Sequence, residues 1–317
     1  MKILAVMDLL DIHKKWLEEA AGDNKIVYVP AAEVTIQDVS EAEVIIGNIA
    51  PVLLSTASKL RWVQLFSAGA GEYCKPGVLP PGVMLTNATG AYGLAISEYM
   101  LAVLLGMMKK LYMYEANQKQ RLWKDEGPVT SVSGATVLVI GLGDIGGRFA
   151  RLCKLMGAHV IGMRRRSTIV PDYADEMGTM EKLDEYLARA DVVASSLPGT
   201  KATTGLYNKE RFKAMKQGAY FINVGRGTAV VSEDLCNAVT NGHLAGAALD
   251  VTDPEPLPKD HPLWSIPGIH ITPHVSGGFH LAATHDNIVK IAAANLRSYI
   301  GGVPLKNEVD FMTGYKK

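Results

Sequence analysis

The chain has 317 residues, 48% of them apolar, and its 32 Lys+Arg balance 32 Asp+Glu for a formal net charge of zero. That length is enough for two medium domains with sizeable cores. A balanced charge supplies no basic field, so neither nucleic acid nor an anionic membrane is expected as a partner. The three cysteines, Cys74, Cys153 and Cys236, lie far apart without metal-ligand spacing, so no metal site is expected. So sparse and odd a count suits a reducing compartment.

The opening MKILAVMDLL has a basic residue and an apolar run, but Asp8 and Asp11 interrupt it and no small-residue cleavage site follows. A first strand near 2–7 is the better reading than a signal peptide. The apolar stretch around 99–108 is too short to span a bilayer, and a cytoplasmic location is expected. Further short runs rich in Val and Ile follow: KIVYVP, AEVIIG, WVQLFS, VMLTNA, TVLVIG, HVIGM, DVVASSLP, AYFINVG, AGAALDV and IHITPHV. They have the character of buried parallel strands. Helical segments at 147–156, 182–190, 209–215 and 232–241 lie between the later ones. Repeated strand–helix alternation predicts an open α/β sheet with helices on both faces. A long, mostly uninterrupted helix is expected over 94–123 and another over 281–300. The second is expected to bring the C-terminus back onto the N-terminal domain. The expected division is 1–100 with 282–317 for one domain and 101–281 for the other.

The most specific local pattern is TVLVIGLGDIGGRFARLCKLMGAHVIGMRRR. A strand runs into Gly141-Leu142-Gly143-Asp144-Ile145-Gly146, and a helix and a second strand follow. This is G-x-G-x-x-G in a strand–turn–helix–strand setting. Gly141 permits the tight turn, Gly143 leaves room for a pyrophosphate, and Gly146 lets helix and strand approach. The helix N-terminus at Asp144 and Ile145 offers N–H groups to phosphate. An enzyme using NAD carries an acid about twenty residues past the first glycine, to bond the ribose 2′-OH. Here Arg164, Arg165 and Arg166 stand there, and guanidinium groups pair with a 2′-phosphate. NADP is therefore expected over NAD, with NAD still possible; a solvated basic loop that tolerates either cofactor is the alternative.

Three later segments each end a predicted strand with a reactive residue: NVGRG with Arg226, ALDVTDPEPLP with Glu255 and ITPHVSGG with His274. Ligands bind at the carboxyl ends of strands in such sheets. Together the three form a complete set for reducing a 2-keto acid. Arg226 anchors carboxylate and carbonyl. His274 gives the proton that the developing alkoxide needs. Glu255 bonds the other ring nitrogen, fixing the tautomer and favouring the imidazolium. Any of these residues alone is as readily a loop cap or a solvated surface group, and Asp250 alone as readily a strand-end residue holding a turn. The other histidines fit no such constellation.

GLGDIG, the stretch SSLPGTKATTGLYNKERFKAMKQGAYFINVGRGTAVVSEDLCNAV, GAALDVTDPEPLP, HPLW and TPHVSGG together resemble the D-isomer-specific 2-hydroxyacid dehydrogenases. The resemblance is continuous over about 134–309 and looser before it, through WVQLFSAGAGEY and TNATGAYGLAISEYMLAVLL. It implies two Rossmann-like, doubly wound parallel-sheet α/β domains with the active site in the cleft between them, a homodimer, and D stereochemistry. It further implies catalytic roles for Arg226, Glu255 and His274, with Arg226 and His274 also binding substrate. The amides of Ala68, Gly69 and Ala70 would meet the substrate carboxylate. Asp250 would face the nicotinamide, and Leu197, Pro198, Thr203 and Val224 would line the cofactor cleft.

Three features depart from the common pattern. Arg164 replaces the usual acid, Thr252 stands where many members carry Phe, and the chain is expected to lack the regulatory extension of many phosphoglycerate dehydrogenases. Tyr114, Gln118 and Trp123 resemble the glyoxylate and hydroxypyruvate reductase subgroup. The expected activity is NADPH-dependent reduction of a small 2-keto acid. Its rivals are a narrow glyoxylate or hydroxypyruvate reductase and a dinucleotide-sensing corepressor-like binding protein.

Overall fold

In the first strand, β1 (Lys2–Val6), successive side chains point to opposite faces, so Ile3 joins one apolar cluster and Leu4 and Val6 another. The computed structural model describes residues 1–164, 169–312 and 314–316, the last two of them by backbone alone. After β1 come α1 (Asp11–Ala21), β2 (Lys25–Tyr28), α2 (Ile36–Glu41), β3 (Val44–Gly47), α3 (Pro51–Leu54), β4 (Trp62–Gln64) and β5 (Met84–Thr86). The five strands form a parallel sheet in the order β2-β1-β3-β4-β5. Helix α2 starts at Thr35, whose hydroxyl accepts from the Asp38 N–H while the Asp38 carboxylate accepts from the Thr35 N–H, a reciprocal cap.

The chain continues through α4 (Gly93–Met108), α5 (Leu111–Lys119), β6 (Thr136–Ile140), α6 (Asp144–Leu155), β7 (His159–Met163), β8 (Glu176–Gly178), α7 (Leu183–Leu187), β9 (Val192–Ser195), α8 (Lys209–Ala214), β10 (Ala219–Asn223), α9 (Ser232–Thr240), β11 (Leu244–Leu249) and β12 (Ile269–Ile271). These strands make a second parallel sheet, seven-stranded, in the order β12-β11-β10-β9-β6-β7-β8. Leu138, Ile161, Val193 and Phe221 pack on one face against Leu183 and Leu187 of α7, Phe212 of α8 and Leu235 of α9. Helices α4 and α6 pack together and lie against the strands from the other side. The chain ends with α10 (Ala282–Ile300), β13 (Val309–Asp310) and β14 (Tyr315–Lys316), the last two a short antiparallel pair.

Two units result: Met1–Tyr92 with Phe279–Lys317, and Gly93–Gly278. The first crossing therefore precedes the expected residue 100, because α4 belongs entirely to the second unit. In the first unit α10 buries Val289, Ala292, Ala293 and Leu296 against Ile3, Val44 and Trp62 of the sheet, so the C-terminal segment does return onto the N-terminal one. The helix expected over 94–123 is not continuous. Lys110 takes a left-handed φ of 57° and separates apolar, buried α4 from α5, which buries none of its residues. The flanking lysines explain the break: the Lys109 ammonium donates to the Thr130 carbonyl at 2.6 Å and that of Lys110 to the Glu126 carbonyl. Among the described residues no helix is long and apolar enough to cross a membrane.

Candidate active site

All seven strands of the second sheet run parallel, so their carboxyl ends share one edge. The chain order reverses between β6 and β9, the place where such sheets open a crevice for ligands. Loops after β6 and β9 meet there. The Ser196 hydroxyl donates to the Gly141 carbonyl at 2.8 Å, and the Gly141 and Leu142 amides bond the Met163 carbonyl at 3.0 and 2.9 Å. Gly141 has φ 101°, open to glycine and strained for other residues. A Cβ on Gly146 would stand 2.2 Å from the Gly141 carbonyl oxygen, so only glycine lets α6 approach the turn.

A Cβ on Gly143, in contrast, would meet no protein atom within 4 Å. That open space faces the first turn of α6, whose amides have no intrahelical acceptor. The turn therefore fits the phosphates of a dinucleotide. The Asp144 carboxylate is engaged within the protein, accepting from the Gly93 amide at 2.8 Å and from Arg148 Nε at 3.2 Å, so it is the backbone N–H that is left for a ligand, as expected of a helix N-terminus. Ile145 is half-buried beside it.

Past β7, Arg164 reaches the Tyr173 hydroxyl with one Nη at 3.4 Å, and its Nε is buried with no partner among the described residues. An orphaned guanidinium N–H is costly unless an anion satisfies it. Arg165 and Arg166 lie outside the described residues. Thr203 closes the turn after β9, donating to the Pro198 carbonyl at 2.6 Å and accepting from the Thr200 amide at 2.9 Å. Leu197 is half-buried against the core, and Val224 is buried with its amide on the Ser195 carbonyl.

Arg226, Glu255 and His274 follow β10, β11 and β12, three neighbouring strands. Arg226 is half-buried, and one Nη donates to the Gly225 carbonyl at 2.7 Å. Among the described residues no carboxylate pairs with it. The buried Asn223 side chain holds this corner, donating to the Arg226 carbonyl and accepting from the Gly225 amide. Glu255 Oε2 lies 2.9 Å from His274 Nδ1, while Oε1 accepts from the Thr252 amide at 2.9 Å. The carboxylate is thus fixed at both oxygens, and it leaves the imidazole Nε2 as the nitrogen available for proton transfer.

Asp250, at the end of β11, is only 2% exposed. Its carboxylate accepts from the Thr272 hydroxyl at 2.6 Å, the Val275 amide at 3.0 Å, the Ser276 amide at 3.1 Å and the Ser276 hydroxyl. Those bonds occupy the lone pairs of both oxygens. Asp250 holds the turn that carries His274.

In the other unit, Ala68, Gly69 and Ala70 follow β4. The carbonyls around them are tied back: Phe66 to the Tyr92 hydroxyl, Ser67 to the Ala88 amide at 3.0 Å, Ala68 to Asn87 Nδ2 at 2.7 Å and Gly69 to the Ser67 hydroxyl at 2.7 Å. Among the described residues the Ala68 and Gly69 amides have no acceptor, so the loop presents N–H groups suited to an anion. Sequence reasoning missed Asn87, Tyr92, Ser196 and Asn223, which shape these loops. For Asn87 and Asn223 the signal was a buried-strand run ending on an amide side chain.

A family model, the NAD binding domain of the D-isomer specific 2-hydroxyacid dehydrogenases, matches residues 101–276. Glyoxylate/hydroxypyruvate reductase A of Photorhabdus laumondii is 32% identical over 83% of this chain and 84% of that protein. A D-isomer specific 2-hydroxyacid dehydrogenase family protein from Aeromonas salmonicida superimposes with a TM-score of 0.87 at 34% identity, over 98% of this chain and 99% of that one. The NADPH-dependent glyoxylate/hydroxypyruvate reductase of Sinorhizobium meliloti, in complex with NADP and sulfate, gives a TM-score of 0.84 at 27% identity, over 99% of each chain. The chain belongs to the D-isomer specific 2-hydroxyacid dehydrogenase family.

Proposed function

We propose that the protein reduces a small 2-keto acid to the D-2-hydroxy acid with NADPH. The observation that carries this reading is the His274–Glu255 pair, 2.9 Å apart, in loops that follow strands neighbouring the one before Arg226, which has no carboxylate partner among the described residues. When bound, the nicotinamide supplies a hydride to the keto carbon. The Arg226 guanidinium draws the substrate carboxylate and polarises the carbonyl. His274 Nε2 donates the proton that the carbonyl oxygen needs, and Glu255 steadies the imidazole as it changes charge. Ala68, Gly69 and Ala70 are assigned to the substrate carboxylate, because in this loop of bonded carbonyls the Ala68 and Gly69 N–H groups have no acceptor among the described residues.

NADPH is preferred over NADH on chemical grounds. Arg164 stands where NAD enzymes carry an acid, and its buried Nε needs an acceptor. A 2′-phosphate is such an acceptor. Gly141, Gly143, the amides of Asp144 and Ile145, and Gly146 would hold the pyrophosphate, with Leu197, Pro198, Thr203 and Val224 beside the cofactor. The names of the relatives support glyoxylate and hydroxypyruvate as first substrates to try.

Initial rates of NADPH and NADH oxidation, taken with 2-keto acids from glyoxylate and hydroxypyruvate to branched and aromatic ones, test the reading. Turnover is expected, with kcat/KM at least about tenfold higher for NADPH, the worth of one charge-assisted hydrogen bond. Binding of NADPH without turnover of any keto acid would overturn the assignment in favour of a dinucleotide-sensing role. Equal efficiency with both cofactors would remove the argument from Arg164.

A further inference from the structure

The hydrogen bonds around Asp250 extend outward past the residues that touch His274. On α4, the Tyr99 hydroxyl lies 2.7 Å from the Thr272 hydroxyl, and Thr272 lies 2.6 Å from Asp250 Oδ1. The chemistry sets the direction of this chain. A carboxylate only accepts, so Thr272 donates to Asp250 and Tyr99 donates to Thr272. Burial pushes the Tyr99 phenol up to about 12, so it keeps its proton across the working range.

At the inner end, Asp250 controls three consecutive amides. Its carbonyl accepts from the His274 N–H at 2.8 Å, and its carboxylate accepts from Val275 at 3.0 Å and Ser276 at 3.1 Å. His274 itself sits at φ 53°, a left-handed conformation that costs an L-residue free energy. A turn with that strain keeps its shape only while its bonds over-determine it.

We propose that Tyr99 and Thr272 are positioning residues that hold Asp250, and through it the 274–276 turn, in the geometry that aims the His274 imidazole. The proposal rests on the reading of His274 as proton donor. It makes a helix residue far from His274 in sequence part of the machinery that sets its rate, without contact with either reactant.

Four variants test it: Tyr99→Phe, which keeps the ring packed, Thr272→Val, Thr272→Ser and His274→Gln. Each is assayed for kcat, for KM of the best 2-keto acid and for NADPH affinity. Thr272→Val is expected to lower kcat about tenfold, the worth of one bond to a charged group, and Tyr99→Phe about threefold. In both, KM and NADPH affinity should stay within about twofold. Thr272→Ser restores the donor and should recover most of kcat. A merely structural role would move KM and NADPH affinity along with kcat, and that result overturns the proposal. So does full kcat in both Tyr99→Phe and Thr272→Val while His274→Gln is impaired. Should Thr272→Val not fold, full kcat in Tyr99→Phe overturns it alone. Full activity in His274→Gln would instead overturn the underlying reading, and the two failures are thereby distinct.

Discussion

Glu255 and His274 lie 19 positions apart in sequence and 2.9 Å apart in space. Their pairing was legible because each lies in the loop that follows a predicted buried strand, and neighbouring parallel strands bring those loops together. Asp250 was not legible in the same way. A buried carboxylate at a strand end suits a ligand or a turn equally, and its four donors come from residues 22 to 26 positions on, which the local pattern does not encode. The cysteines take no part in this account. Burial raises the Cys153 thiol to about 12, and it also raises Cys74, with Asp310 adding to the shift, and Cys236. Little thiolate forms at neutral pH, and the thiolate is the reactive species. Iodoacetamide at neutral pH is therefore expected to leave activity intact, while denatured protein labels at all three cysteines. Rapid inactivation of the native enzyme would show a reactive thiol that the account lacks.

At the scale of elements, buried strands with Val and Ile were readable, and strands without an apolar run were not. Strand β8 is Glu-Met-Gly, short and at the sheet edge, and tertiary pairing with β7 alone makes it a strand. The break between α4 and α5 was hidden for a related reason. Its cause is two lysines reaching carbonyls that lie far along the chain, a contact that helical periodicity does not encode. The seating of α10 depends on a polar contact as well as on its apolar face. Buried Asn295 donates to Gln64 Oε1 at 2.8 Å and to the Lys306 carbonyl at 2.9 Å, and accepts from the Lys306 amide at 2.8 Å. Gln64 in turn accepts from Thr86, whose hydroxyl accepts from the Trp62 indole. Asn295→Leu takes away the partner of the Lys306 carbonyl and amide and one of the two donors to Gln64, and should cost about 1–3 kcal/mol. A lower urea midpoint with an unchanged slope is the expected result. A midpoint equal to wild type would mean that the apolar face alone seats the helix.

For the whole molecule, strand–helix alternation foresaw an open parallel α/β sheet, and the resemblance to the family supplied its division into two; both sheets are parallel throughout. The boundary was less visible, because α4 is mostly apolar and nothing in it marks Gly93 as the start of the second unit. Family membership adds the chemistry that fold alone does not carry. The central claim is that His274 protonates the carbonyl oxygen of a 2-keto acid. Its most direct test is kcat of His274→Gln against wild type on the best 2-keto acid, with NADPH affinity measured on the same preparations. Removal of a general acid should lower kcat by about 10²–10⁴-fold with NADPH binding unchanged. A His274→Gln enzyme that turns over at the wild-type rate would contradict the account.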